Sequence, residues 1–104
     1  MTASTTLPDT CARLAIDGPM TVYEAPAQRH ALLAALAAGA GLEIDVCGLD
    51  EIDTAGVQLL VLVQREGRDT GKPVRLAGQS AALAEVLGRY GIAAQFERAE
   101  DAGR

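Results

Sequence analysis

The 104-residue sequence predicts an α/β domain: a mixed, mostly parallel sheet of about five strands with its helices mainly on one face. Three observations predict it. Short segments with period-two apolar spacing alternate with longer segments of helical spacing, the order expected of parallel strands joined by crossover helices. Glycine or proline stands at most of the boundaries between them. The strands themselves set charged residues at alternate positions, whereas strands covered on both faces read as continuous apolar runs. One sheet face is therefore expected to meet water or a partner, which argues against a doubly wound nucleotide-binding fold.

The elements follow in order. Ala12–Asp17 alternates, with Leu14 and Ile16 on one side and Arg13, Ala15 and Asp17 on the other, as in a half-buried strand. Gly18-Pro19 marks a turn and Met20–Tyr23 a second short strand. Pro26 suits the first turn of a helix, and Ala27–Ala38 carries Leu32, Leu33 and Leu36 at helical spacing before Gly39 and Gly41 end it. Leu42–Cys47 is the clearest strand: Leu42, Ile44 and Val46 face one way, Glu43, Asp45 and Cys47 the other. An acidic loop follows from Leu49, and a second helix runs from about Thr54 to Arg68, stopping near Gly71 and Pro73. Val74–Ala77 is a strand. Ser80 caps a third helix that continues to Tyr90, with Leu83, Val86 and Leu87 on one face, and Ile92–Glu97 supplies a last short strand. The domain is expected to span residues 12–97, between flexible tails at 1–11 and 98–104.

Composition excludes several function classes. With only three aromatic residues, Ala, Leu, Val and Ile must fill the core, and the formal net charge is −5. An acidic domain lacks the Lys and Arg excess that phosphate neutralisation requires, so no nucleic acid is expected as a partner. Two cysteines, Cys11 and Cys47, with no CxxC and a single histidine, His30, make no zinc site. Asp50, Glu51 and Asp53 are too few for an oxygen cage, and Gly39-Ala40-Gly41 lacks the pattern of a phosphate-cradling loop. No metal, cofactor or catalytic residue is assigned, because no carboxylate pair or nucleophile–base pair stands out. Met1–Asp9 has no secretory pattern, and no apolar run is long enough to insert into a membrane, so a cytoplasmic location is expected.

The informative stretch is Asp53-Thr54-Ala55-Gly56 followed by Val57-Gln58-Leu59-Leu60, where small residues open the second helix. Asp53 and Thr54 both serve well as helix N-caps, and that structural role remains open at this point. With the strand Leu42–Val46 before it and Arg75-Leu76-Ala77-Gly78-Gln79-Ser80 after it, this stretch resembles the STAS family, named for sulphate transporters and anti-sigma factor antagonists. The resemblance runs from about Ala12 to Phe96. It implies a STAS-type single domain and a non-catalytic bacterial regulatory role. An anti-sigma factor that is also a serine-threonine kinase would be docked at the Thr54 helix start. Thr54 would be the phosphorylation switch, Asp53 its acidic neighbour, and Gly56 the residue that allows close approach. Two departures bear on the pathway: Thr54 replaces the Ser of sporulation-type antagonists, and Cys47 stands where a small Ser is common. Members with Thr include small subunits attached to ABC transporter ATPases that move phospholipids. The alternative implied function is therefore an accessory subunit binding such an ATPase.

Helical geometry extends the candidate surface. At roughly 100° per residue, Leu59, Leu60 and Val63 turn with Gly56 and Gly67 toward the sheet. Thr54, Gln58, Val61, Leu62, Arg65 and Arg68 fall on the other side. Val61 and Leu62 are thus expected as an apolar pair within a polar rim, the form of a docking patch. The expected partner-binding set is Asp53, Thr54, Ala55, Gly56, Gln58, Val61, Leu62 and Arg65. A phosphate on Thr54, about −1.5 to −2 charges, would be favoured by the helix N-terminus and opposed by Asp50, Glu51 and Asp53. It is expected to block a docked partner, not to unfold the domain.

Overall fold

In the computed structural model, which describes residues 11–91 and the backbone of residues 97–98, the alternating segments become six strands and three helices. They are β1 (Ala12–Ala15), β2 (Gly18–Met20), α1 (Ala25–Ala38), β3 (Leu42–Asp45), β4 (Leu49–Ile52), α2 (Thr54–Thr70), β5 (Val74–Ala77), α3 (Ala81–Tyr90) and β6 (Glu97–Arg98). Four strands form a parallel sheet in the order β1-β3-β5-β6, and β2 and β4 pair in parallel as a separate ribbon.

The period-two pattern explains the layering. Leu42, Ile44, Val74 and Leu76 are buried, and each fully buried Leu or Ile contributes about 1.5–3 kcal/mol by leaving water. Met20, Leu32, Leu60, Val63 and Leu83 complete an aliphatic core under the helices. The intervening positions carry charge. Arg13, Glu43 and Arg75 lie side by side in register across β1, β3 and β5, with Arg13 Nε 3.8 Å from Glu43 Oε2. A long pair of this kind, between an exposed Arg13 and a half-buried Glu43, adds at most about 1 kcal/mol; its effect is to keep the open face polar.

The helix ends follow from named groups. Pro26 occupies the first turn of α1, and Lys72 Nζ reaches back to the last carbonyls, Leu36 O at 2.9 Å and Ala37 O at 3.2 Å. A cation there satisfies orphan acceptors and complements the helix dipole, which no basic residue of α1's own last turn does. Gly71 ends α2 in the left-handed conformation at φ 72°, where a side chain would be strained. The buried Ser80 hydroxyl accepts from Leu83 N and donates to Leu49 O at 2.7 Å, fixing α3 to β4.

Two elements differ from expectation. The acidic loop at Leu49–Ile52 is a strand, because its partner β2 lies beside it (Gly18↔Leu49, Met20↔Ile52). The order apolar, acid, acid, apolar has no strand period of its own. The second strand is Gly18–Met20, not Met20–Tyr23: Glu24's carboxylate accepts from the Thr21 amide and hydroxyl, and this turn closes the strand before α1. The first five residues of the expected last strand, 92–96, lie outside the described residues, while Glu97–Arg98 pairs with β5. Of the expected tails at 1–11 and 98–104, residues 1–10 and 99–104 also lie outside them, and Arg98 belongs to β6. Among the described residues, no helix is long and apolar enough to cross a membrane.

Candidate functional site

Parallel pairing of β2 with β4 brings two chain segments to the same point. One continues from Met20 into the turn Thr21–Glu24, the other from Ile52 into α2. Asp53 joins them. Its backbone is extended (φ −117°, ψ −171°), and its side chain serves both segments: Oδ1 accepts from Gly56 N at 3.1 Å, Oδ2 from Val22 N at 3.0 Å. The Val22 amide is the main cause holding the Asp53 carboxyl below the usual carboxylate range. Partial burial opposes it, and the amides of Gly56 and Ala55 add to the lowering.

The direction of that shift sets a pH dependence. A carboxyl whose folded pKa is depressed stabilises the fold above its unfolded value, about 3.9, and that contribution is lost as pH falls through the folded value. Asp53→Asn is accordingly expected to be less stable than wild type near neutral pH. The gap should begin to narrow in urea melts below about pH 3.9 and close only below the depressed folded value, where wild-type Asp53 is itself protonated. A gap unchanged between neutral and acid pH would show that the Asp53 charge does not hold the turn.

Because Asp53 is the N-cap, Thr54 is released from that role. It is the first residue of α2, exposed, and its Oγ1 lies 2.9 Å from the hydroxyl of Tyr90, the last residue of α3. Gly56 is buried against β2: a Cβ built there would stand 2.2 Å from Met20 O and 2.7 Å from Ile52 Cγ1. Only glycine lets α2 begin this close to the ribbon. Gln58 and Arg65 are exposed and Ala55 is half-buried.

The expected apolar pair is divided. Leu62 is 37% exposed, whereas Val61 is half-buried and packs against the core. The 100° step between them turns Leu62 toward α1 and Val61 away from it. Leu62 lines an open groove of about 440 Å³ between the start of α1 and α2, with Val22, Pro26 and Arg29 on one wall and Ala55 and Gln58 on the other. Val22 is 58% exposed, Tyr23 beside it 89%, and Tyr90 46%. These three residues were not singled out by the sequence. Val22 and Tyr23 read as strand and Tyr90 as a helix end, and only the pairing across 31 and 36 residues brings them to Asp53 and Thr54.

The other candidates stay apart from this surface. His30 is exposed on α1, and Cys47 is exposed after β3, its amide donating to Asp45 Oδ1 at 2.9 Å. Among the described residues no group of three His, Cys, Asp or Glu could hold a metal ion.

A family model described as "Mlab, STAS domain" matches residues 3–96. The chain belongs to the STAS domain family. Solved STAS-like structures share its fold. A putative anti-sigma factor antagonist from Thermotoga maritima superposes with a TM-score of 0.79 at 13% identity, covering 94% of this chain and 92% of its own. A sulfate transporter family protein from Wolinella succinogenes gives 0.73 at 20% identity, covering 92% and 84%. The anti-sigma factor antagonist SpoIIAA in its unphosphorylated form gives 0.63 at 17% identity, covering 79% and 76%. At these identities the likeness is one of fold. No curated protein matches the sequence. In this STAS domain, then, the exposed Thr54 meets the Tyr90 hydroxyl, and its neighbour Ala55 lines the groove beside Leu62.

Proposed function

We propose that this STAS domain is a non-catalytic regulatory module of the bacterial cytoplasm, similar in role to the anti-sigma factor antagonists. It docks a protein partner, an anti-sigma factor with serine-threonine kinase activity, through the start of α2, and phosphorylation of Thr54 switches the contact. One observation carries this reading. The Thr54 hydroxyl is exposed at the first turn of α2, freed from capping by Asp53, and the next residue, Ala55, lines a largely apolar groove. A kinase can reach such a hydroxyl, and a docked partner must cover it. A phosphate there would leave Thr54 without a proton to donate to Tyr90 and place about −1.5 to −2 charges beside the carboxylate of Asp53. The residues expected at the contact are Asp53, Thr54, Ala55, Gly56, Gln58, Leu62 and Arg65, now with Val22, Tyr23 and Tyr90. Val61 contributes from beneath.

A second reading has its own support. Threonine at position 54, which the STAS resemblance links to small subunits attached to ABC transporter ATPases, favours an accessory subunit that docks such an ATPase by the same face without a phosphorylation cycle.

Thr54→Glu tests the switch. The variant is expected to fold normally and to lose its partner by at least about tenfold in affinity, or about 1.4 kcal/mol. The measurement is a quantitative pull-down of wild type and variant from native extract, with solubilised membranes included. Equal recovery, with Thr54 unmodified in cells, would leave no switch. An ABC ATPase recovered equally by both proteins would assign the domain to transport.

A further inference from the structure

The chain is acidic, with net charge −5, but the rim of the α1–α2 groove is not. Arg29 forms part of its wall, and Arg65 is exposed one turn beyond Leu62 on α2. Neither makes an ion pair among the described residues. Helix α1 holds no acidic residue, and α2 holds none before Glu66. The carboxylates at the starts of the two helices are engaged internally: Asp53 accepts from Val22 N and Gly56 N, Glu24 from the amide and hydroxyl of Thr21, whereas Glu66 and Asp69 follow Arg65 on α2. The groove therefore combines an apolar floor with cations that make no ion pair among the described residues, in a protein of opposite overall sign. Its walls are the starts of two helices and the turn before α1, where the Val22 amide is taken by Asp53, so it offers no strand edge for an extended peptide to extend. Recognition must pass through side chains, as when an amphipathic helix lies in a groove.

We propose that the α1–α2 groove receives an acidic amphipathic helix of the partner. Its apolar side chains lie against Val22, Pro26 and Leu62, and its carboxylates meet Arg29 and Arg65. The proposal rests on the docking function above and names the partner's chemistry. It also gives an acidic domain its means of holding an acidic segment, since attraction is confined to this rim and repulsion elsewhere sets the orientation.

The test uses the full chain and two fluorescent peptides of about 18 residues, long enough to be helical. Both carry leucine at i, i+3, i+4 and i+7; one has glutamate and the other lysine at the polar positions. Vesicles of phosphatidylglycerol and phosphatidylcholine serve as a third probe. The Glu peptide is expected to bind, to shift the amide resonances of Val22, Arg29, Ala55 and Leu62, and to weaken as salt rises. The Lys peptide should bind at least about tenfold more weakly. Arg29→Glu, at an exposed position and with an unchanged melting curve, should weaken the Glu peptide by about three- to tenfold. Equal binding of both peptides, shifts confined to another surface, no binding of the Glu peptide, or binding of vesicles alone would each overturn the proposal. A partner from extract that binds wild type and is lost with Thr54→Glu, while Arg29→Glu retains it fully, would overturn the acidic-helix inference and leave the docking function standing.

Discussion

Gly56→Ala is expected to destabilise the domain by about 2 kcal/mol or more, although alanine ordinarily improves a helix interior by about 1 kcal/mol over glycine. The sign reverses because of what the new methyl would meet. Its carbon would stand 2.2 Å from the Met20 carbonyl oxygen and 2.7 Å from Ile52 Cγ1. The first is backbone and cannot swing aside, so α2 must lift from the β2–β4 ribbon, and with it the Asp53 bonds to Val22 and Gly56. Gly88 in α3 is the matched control. It is exposed, and a Cβ there meets nothing within 4 Å. Gly88→Ala should therefore be neutral or stabilise by up to about 1 kcal/mol. Urea melts at neutral pH separate the two, and for a domain of this size the Gly56 variant should melt roughly 10 °C lower. A Gly56→Ala protein as stable as wild type would mean that α2 does not begin against the ribbon.

Leu62→Asp and Val61→Asp, adjacent in sequence, are expected to fail in different ways. Leu62 is partly exposed in the groove and faces solvent when no partner is bound. Its replacement should leave the melting transition nearly unchanged and weaken partner binding by about 30- to 100-fold, the scale of a central apolar contact turned into a buried charge. Val61 is half-buried against the core. Its replacement places a carboxylate against apolar neighbours and should lower stability by about 1–3 kcal/mol. Titration of the recovered partner against both variants, beside their urea melts, distinguishes the effects. Wild-type affinity in Leu62→Asp would remove the groove from the docking surface. Unchanged stability in Val61→Asp would place Val61 on the surface after all.

The division between what was legible in the sequence and what was not follows the range of the interactions. Alternation in Leu42–Asp45 and Val74–Ala77, helical spacing in α2 and α3, and the glycines at 71 and 91 are local signals. They determined the α/β class, the apolar faces and the position of the Asp53–Gly56 segment at a helix start. A side-chain period is a property of a few consecutive residues, so it survives without knowledge of the rest of the chain. Tertiary structure alone decided the remainder. Leu49–Ile52 is a strand because β2 lies beside it. Asp53 rather than Thr54 caps α2, because the same carboxylate also holds Val22. Thr54 meets Tyr90, and Leu62 parts from Val61 because α1 crosses one side of the helix and not the other. Each of these depends on groups far apart in sequence arriving at one place, and that is fixed by strand pairing and core packing, which no local period encodes.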